Sequence, residues 1–270
     1  MKIENKAIKK VGLFLLYTFS ITWFCWASII IGNRYFHTLW YGGSLFWLLY
    51  TIGSLGPSIS SYIIYRQFKE DFHDKYFVGF IFGKKINKTA LLIFTAYIIW
   101  RFFMIWIAFG IQKPISMMLI VSMLINLLLV IPQGGLEELG WRGILQPELE
   151  KICTFLPSVL VVGVIWGIWH LPLWLIQGTV QSEFPFILYL LSGIVLSFTF
   201  ATVYKYTKNL FLCVLSHSWF NVCIGLALSA GSDGSLQLNM NWKASMMFLL
   251  ELVVSLILGM LYNSNRTEKN

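Results

Sequence analysis

The sequence predicts an all-α membrane protein, a polytopic bundle of about eight transmembrane helices, from three observations. Of its 270 residues, 57% are hydrophobic and only 12% are charged, whereas about a quarter of a soluble domain is charged. The mean hydropathy is +0.72. Apolar runs close to the ~20 residues that a helix needs to cross the hydrocarbon recur along the whole chain. These observations exclude a soluble globular protein.

Eight apolar runs are the predicted spans. They are residues 11–32, 45–64, 89–110, 115–132, 158–176, 186–204, 210–230 and 242–262. None shows the ~10-residue alternation of barrel strands, and backbone groups in lipid must be bonded internally, so helices are predicted. The first run is longer than a signal-peptide core and lacks a clear cleavage site, so we expect a retained anchor. With no internal repeat or soluble domain, residues 1–270 are predicted to form one integral membrane domain.

The basic residues predict the orientation of the bundle. With eight spans, sixteen Lys and Arg residues fall on the side that carries both chain ends, and three, Arg34, Lys113 and Lys243, fall on the other side. Because basic residues concentrate in cytoplasmic connections, both termini are predicted to be cytoplasmic in a protein of the plasma membrane. The formal net charge of +8 then reflects topology and attraction to anionic headgroups. It gives no support to nucleic-acid binding.

The four cysteines give no sign of a shared framework. Cys25, Cys153, Cys213 and Cys223 have no CxxC spacing, and three of them lie within predicted spans. Structural or incidental thiols are therefore expected, and neither a disulfide framework nor a zinc cluster is predicted.

One stretch, LLLVIPQGGLEELGWRGILQ at 127–146, interrupts the apolar pattern. Pro132 and the two glycines that follow it end the fourth predicted span, and helical periodicity resumes after them, which predicts a broken or re-entrant helix. Such backbone is tolerated at membrane depth only beside protein or a water-filled cavity. Glu138 and Arg142 stand at i and i+4 on the resumed helix, so they are predicted to form an ion pair.

Further polar residues predict a site of hydrolysis. Glu137 points about 100° away from the Glu138–Arg142 face, so it is expected to face a cavity, where a carboxylate can act as a general base or acid. His217 and Asn221 in HSWFN share a helical face and could hold a negative oxygen. His170 in WGIWH could help to position a water beside Glu137. With no serine or cysteine at nucleophile spacing, this set fits hydrolysis by an activated water.

Two other ionisable residues lie within predicted spans and belong to no motif. Arg101 and Glu251 are expected either to face the membrane interface or to pair with each other as structural groups.

These residues resemble the motifs of a known family. EELGWR matches the pattern EExxxR, WGIWH resembles aromatic-xxx-His, and HSWFN matches HxxxN of the CAAX-protease and bacteriocin-processing (CPBP or Abi) family of intramembrane proteases. The three motifs occur in the family's order within residues 127–225. One departure is Trp166, where the family usually has Phe, and it keeps an aromatic wall.

The resemblance implies an eight-helix bundle with an intramembrane cavity that opens to the cytoplasm and the bilayer. It implies an endopeptidase whose substrate is a membrane-associated peptide or protein, such as a prenylated CAAX tail or a pheromone or bacteriocin precursor. In this implied site, Glu137 and His170 activate water, His217 and Asn221 stabilise the oxyanion, and Glu138 and Arg142 support them.

A metal cofactor is an open alternative at this stage. The family has been labelled as metalloprotease, and Glu137, His170 and His217 could bind Zn²⁺ with one position left for water. However, the chain has no H-E-x-x-H sequence, Asn is a poor zinc ligand, and Arg142 would bring a cation close to the site. We therefore favour a metal-independent glutamate protease without a cofactor.

Two other function classes compete with proteolysis. The protein could be a non-enzymatic scaffold or bacteriocin immunity factor that binds a peptide or a membrane partner, although a complete set of four site residues argues against a decayed site. A proton-coupled transporter would also use buried Glu and His residues. It would require a pair of repeat-related broken helices, and the sequence shows only one such break.

Overall fold

The computed structural model describes residues 2–83, 85–111, 114–230, 236–238 and 240–267. Lys113, one of the three basic residues on the sparsely charged side, lies outside the described residues.

The described chain is almost entirely helical. Its α-helices are α1 (Lys2–Arg34), α2 (Ser44–Ser54), α3 (Gly56–Gln67), α4 (Phe77–Phe82), α5 (Lys88–Ala108), α6 (Met117–Val130), α7 (Glu138–Gly140), α8 (Gln146–Leu149), α9 (Phe155–Trp169), α10 (Phe186–Thr207), α11 (Leu210–Gly225) and α12 (Trp242–Thr267). Two short antiparallel strands, β1 (Leu228–Ala230) and β2 (Leu236–Leu238), pair with Ser229 opposite Gln237. Short 3-10 turns cover Lys69–Asp71, Gly135–Glu137, Leu171–Leu175 and Val180–Glu183.

The helices confirm the predicted all-α polytopic membrane protein. In the described part of the chain, five helices are long and apolar enough to cross a membrane, namely α1, α5, α9 with its 3-10 continuation, α10 and α12. A sixth span is formed if α6 is joined to Gly135–Leu149, to which it is bent by 43°. The apolar helices α2 and α11 coincide with two further predicted spans but are shorter, with 11 and 16 residues.

Two predicted spans differ from the structure. The run 45–64 is two helices, because α2 ends at Ser54 and α3 begins at Gly56. At this break the Thr22 hydroxyl donates to the carbonyl of Gly53 at 2.7 Å, and a Cβ at Gly56 would lie 2.1 Å from the same hydroxyl oxygen. The run 210–230 is a helix only to Gly225, and its last residues form β1.

Helix α10 is at the centre of one half of the bundle, where it packs against α9, α11 and α12, and α1 packs against α2 and α3 in the other half. The α9–α10 contact is close because Gly163 faces the backbone of Ile194 and Ser197 donates to the carbonyl of Val159 at 2.9 Å. These close contacts hold α9 and α10 against each other.

Arg101 and Glu251 pair with each other, which is one of the two alternatives expected from the sequence. Both are buried, and the ion pair joins α5 to α12. The guanidinium also lies over the rings of Tyr97 and Phe220, at 5.5 and 5.0 Å from their centroids.

The bundle has two chemically different ends. The basic end, defined here as residues 2–10, 66–77, 148–154 and 205–209, holds a network of ion pairs. Lys10 contacts Asp71 at 2.7 Å and Glu148 at 3.0 Å, and Lys205 pairs with Glu150. Partial burial raises the pKa of Asp71, but hydrogen bonds from Lys10 and Lys6 outweigh it, so this pKa lies below its ordinary value.

The opposite end of the bundle is formed by connections with few charges. The connection end is defined as residues 35–43 and 171–185 together with the described part of 226–241. Its segments touch one another, since Gly178 packs against the ring of Tyr41 and β2 contacts the turn at Val180–Glu183.

Candidate active site

The predicted broken helix is present between α6 and α8. After Val130 the chain turns sharply and passes through the 3-10 turn Gly135–Glu137, the single α-turn of α7, the π-helical segment Trp141–Leu145 and finally α8. Helices with a π-helical turn are frequent at functional sites because the wider turn re-aims side chains. Here the irregular backbone carries Glu137, Glu138 and Arg142.

Two glycines allow this segment to lie directly against α11. A Cβ at Gly134 would lie 2.2 Å from Nδ2 of Asn221, and a Cβ at Gly135 would lie 2.0 Å from Oγ of Ser218. Real Cβ atoms do not approach so closely, so any larger residue would push the segment away from α11. The glycines therefore set the distance between the glutamates and the residues of α11.

Glu137 is a buried carboxylate held by two indole groups. Its Oε2 accepts a hydrogen bond from Nε1 of Trp166 at 2.7 Å and another from Nε1 of Trp141 at 3.3 Å. These neutral donors satisfy the carboxylate without a directly bonded cation. Neither donor was predicted from the sequence. Trp141 could have been found, because it stands at i+4 from Glu137, but Trp166 was expected only to form an aromatic wall.

Glu138 is the centre of a second, fully buried cluster. Its Oε2 lies 3.2 Å from Nη1 of Arg142, so the predicted i,i+4 ion pair is present. Its Oε1 lies 2.8 Å from Nδ1 of His217. Nη2 of Arg142 also donates to the carbonyl of Ser197 at 2.9 Å. The cluster thereby connects the broken helix to α10 and α11.

His170 follows the last residue of α9 and is buried. Its Nδ1 lies 2.8 Å from the carbonyl oxygen of Trp166. A carbonyl only accepts hydrogen bonds, so Nδ1 carries the hydrogen and Nε2 of the neutral ring is left as an acceptor. The ring packs edge-on against Trp169 and Tyr189, with centroids at 4.5 and 5.2 Å. This packing fixes the direction of Nε2.

His217 and Asn221 lie on the same face of α11, as their spacing predicts. The His217 ring stacks on Phe200 with a centroid distance of 4.9 Å. Nδ1 of His217 contacts Glu138, so Nε2 is the nitrogen that faces the broken helix. Nε2 lies 3.6 Å from the position that a Cβ at Gly134 would take. Because Nδ2 of Asn221 approaches the same glycine, both side chains reach one point of the broken helix.

A cavity of about 360 Å³ lies inside the bundle. Its wall includes all four residues predicted as catalytic, which are Glu137, His170, His217 and Asn221. Glu138 and Arg142 are not part of the wall and lie behind it, as expected for supporting residues. The remaining lining is mainly aromatic and aliphatic, and it contains no Lys, Arg or Asp among the described residues. Glu137 is thus the one Asp or Glu carboxylate in the described lining.

The zinc alternative concerns Glu137, His170 and His217, which share the cavity wall. Within the described residues, no group of three or more His, Cys, Asp or Glu side chains is arranged to hold a metal ion. Nδ1 of each of the two histidines contacts a protein acceptor, which leaves Nε2 as the ring nitrogen for a ligand, an arrangement that metal-bound histidines also show. Oε2 of Glu137 accepts from two indoles. The four cysteines are free and give no additional ligand cluster. We therefore describe no step through a metal.

Comparison with known proteins gives two findings. The family model of the type II CAAX prenyl endopeptidases, Rce1-like, matches residues 114–223. The chain is also 25% identical over 183 residues to CAAX prenyl protease 2 of Methanococcus maripaludis, in an alignment that covers 63% of this chain and 65% of that relative. The matched region contains all three motifs and the cavity residues they carry. The predicted resemblance is therefore confirmed: over residues 114–223 the chain is similar to the Rce1-like CAAX prenyl endopeptidases.

Proposed function

We propose that the protein is an intramembrane endopeptidase that hydrolyses a peptide bond in a membrane-associated substrate. The observation that carries the proposal is the single cavity wall shared by Glu137, His170, His217 and Asn221. The family match over the same region supports it. The membrane interior is an expensive place for such groups, and polar clusters there are functional by default.

In the proposed reaction, Glu137 and His170 activate a water molecule. The two indoles hold the Glu137 carboxylate in one position, and Nε2 of His170 is the free acceptor on the same cavity. Glu137 takes one proton from the water while the water oxygen attacks the scissile carbonyl carbon. The same proton then passes from Glu137 to the leaving amine. Neither a serine nor a cysteine nucleophile is needed.

His217 and Asn221 are proposed to stabilise the oxyanion of the tetrahedral intermediate. The amide of Asn221 is a donor in any state, but Nε2 of His217 can donate only if the ring is protonated on both nitrogens. The carboxylate of Glu138, 2.8 Å from Nδ1, is the acceptor that such a ring needs on its other side.

The cavity fits an apolar, uncharged segment of peptide. Its wall is rich in aromatic residues, and its described part has no cation to bind a carboxylate. Two substrate classes match this chemistry. One is a prenylated CAAX tail, which the name of the Methanococcus relative also indicates. The other is a hydrophobic peptide precursor such as a pheromone or bacteriocin. In both cases the proposal requires no metal.

The proposal is tested by the isosteric change Glu137→Gln in the full-length protein. Membrane and secreted peptides of cells that express the wild type are compared with those of the variant at matched abundance. We expect peptide termini that are present with the wild type and lost with the variant, because Gln cannot accept the proton of water. Glu183→Gln, at an exposed glutamate of the connection end, is the matched control and should keep them.

The opposite outcome favours the non-enzymatic alternative. If the peptide profiles are identical and Glu137→Gln retains the wild-type phenotype at normal abundance, proteolysis is contradicted. The polar cluster would then serve to shape a binding surface for a peptide or a membrane partner.

A further inference from the structure

We propose that two copies of this chain associate in the membrane through one face of α6, with the Asn126 side chains of the two copies hydrogen-bonded to each other. The association face is defined as Met118, Ser122, Ile125, Asn126 and Leu129. None of these residues lines the cavity. The inference therefore goes beyond the proposed endopeptidase function and does not depend on it.

Helix α6 is covered by little of the described fold. Of its 14 residues only Met123 is buried, whereas α10 buries eleven of its 22 residues. Its main contact is with α11. Low burial by itself is ordinary in a membrane protein, because lipid covers an apolar helix as well as protein does. The apolar residues of α6 alone therefore identify no partner.

Asn126 is the residue of α6 that lipid cannot satisfy. Its side chain is exposed, and it stands nine residues after Met117, roughly 13 Å along the axis of the helix. That distance is close to half of a hydrocarbon core of about 30 Å. No hydrogen bond joins its amide to any residue of the described chain. An unbonded amide in hydrocarbon is costly, so this side chain needs a partner from outside the described fold.

Nearer sources of a hydrogen bond do not serve Asn126. Ser122 satisfies its hydroxyl on its own helix, by donating to the carbonyl of Leu119 at 2.7 Å, but the Asn126 amide makes no such bond within the described residues. Water in the cavity does not reach it, because Asn126 is not part of the cavity wall. Lipid headgroups lie too far away at this depth. The remaining source is a polar group on another membrane helix at the same depth.

A second copy of the chain supplies that group. An Asn amide is both donor and acceptor, so two Asn side chains can bond each other reciprocally. A twofold axis along the membrane normal brings the same residue of two copies together at one depth. Ser122 shares the face of Asn126 at i−4, and small residues allow membrane helices to approach closely. Met118, Ile125 and Leu129, with exposed fractions of 84%, 55% and 60%, complete the stripe that would pack in the interface.

The strength of the association is measured by energy transfer between full-length chains that carry a donor or an acceptor fluorescent protein at the C-terminus. The chains are reconstituted in phosphatidylcholine vesicles at decreasing protein-to-lipid ratios. Asn126→Leu should raise the dissociation constant about tenfold, the effect of an interhelical hydrogen bond in model membrane peptides. Asn126→Gln keeps the amide and should largely restore association. Thermal unfolding of both variants should match the wild type, because Asn126 has no bonded partner in the described chain.

The face is tested by cross-linking in native membranes. Ser122→Cys and Leu124→Cys are made in a Cys153→Ser background, because the other three native cysteines are buried. Both positions are exposed, but residues two apart on a helix point about 200° away from each other. Oxidation with copper phenanthroline should link Ser122→Cys into covalent dimers and leave Leu124→Cys monomeric. Adding Asn126→Leu to Ser122→Cys should reduce the dimer, and adding Glu137→Gln should not.

Three outcomes overturn the proposal. The first is equal linking of Ser122→Cys and Leu124→Cys, and the second is energy transfer that Asn126→Leu leaves unchanged. The third is a product in which Ser122→Cys is linked to a different membrane protein, which would assign the face to that protein. Failure of the endopeptidase function is distinguishable from all three. Linked dimers without any Glu137-dependent peptide contradict the proteolysis and leave the association in place.

Discussion

Two Glu–Arg pairs are buried in the membrane interior of the described chain, and they differ in what their carboxylates contact. Both guanidinium groups are fully buried. In the site pair, Glu138 is shared between Arg142 and Nδ1 of His217. In the second pair, Arg101–Glu251, the carboxylate is shared with the hydroxyl of Thr199 at 2.6 Å. One pair thus orients an imidazole on the cavity wall, and the other joins three helices.

Burial of a charged group therefore does not by itself identify a functional residue. A buried ion pair contributes little net stability compared with well-packed apolar residues, because desolvation offsets the attraction between the charges. The Arg101–Glu251 pair should therefore be replaceable by an apolar pair. The Glu138–Arg142 pair should not be, because His217 needs the carboxylate.

The largest effect is expected for Glu138→Gln. It leaves the guanidinium of Arg142 buried without a counter-charge, which should lower the free energy of unfolding by about 3–5 kcal/mol. It also replaces the carboxylate that contacts Nδ1 of His217, so the proposed cleavage should be lost. Thermal unfolding in detergent and the peptide profile measure the two effects. The double variant Glu138→Leu/Arg142→Met should recover stability but remain inactive, and an active double variant would contradict the proposed role of Glu138.

The next effect concerns stability alone. Glu251→Leu should lower the free energy of unfolding by about 3–5 kcal/mol, because Arg101 then keeps a buried charge without its partner. The double variant Arg101→Met/Glu251→Leu should return to wild-type stability or exceed it by about 1–4 kcal/mol. Its cleavage products should be unchanged. Loss of cleavage in a stable double variant would show that this pair also acts on the site, through Phe220 beneath the guanidinium.

A smaller effect is expected when one donor to Glu137 is removed. Trp166→Phe deletes the 2.7 Å hydrogen bond, and a hydrogen bond to a charged group contributes about 1.5–3 kcal/mol. The rate of cleavage should fall about 10- to 100-fold, since ~1.4 kcal/mol corresponds to a factor of ten. Trp141→Phe removes the longer 3.3 Å bond and should have the weaker effect. The reverse order would show that Trp141 is the principal donor. Both rates are compared at equal protein abundance.

The smallest effect is expected at the basic end, where ion pairs are partly exposed. Hydrogen bonds from Lys10 and Lys6 hold the pKa of Asp71 below its unfolded value, despite partial burial. This stabilisation is present above the unfolded pKa and is lost as pH falls through the folded pKa. Asp71→Asn should therefore cost less than about 1 kcal/mol at neutral pH. Unfolding measured against pH should show the difference vanish in acid, and a difference that persisted there would point to lost packing.

Local spacing and composition encode the features that could be predicted from the sequence. Apolar runs predicted the membrane-spanning class, and three motifs predicted the residues that share the cavity wall. The Glu138–Arg142 pair followed from an i,i+4 spacing, and the broken helix followed from Pro132 and its glycines. Each of these depends on residues that are neighbours along one segment, so helix geometry alone relates them.

Contacts between segments are seen only in the tertiary structure. It brought Trp166 to Glu137, His217 to Glu138 and Arg101 to Glu251, which are 29, 79 and 150 positions apart. It also divided the predicted span 45–64 in two and lined the cavity with residues of the connection end. Spacing cannot encode these results, because helices that are apolar on every side can pack in many rotations. Close approaches at small residues, such as Gly134 against Asn221, and buried polar groups that must find partners leave one of those arrangements.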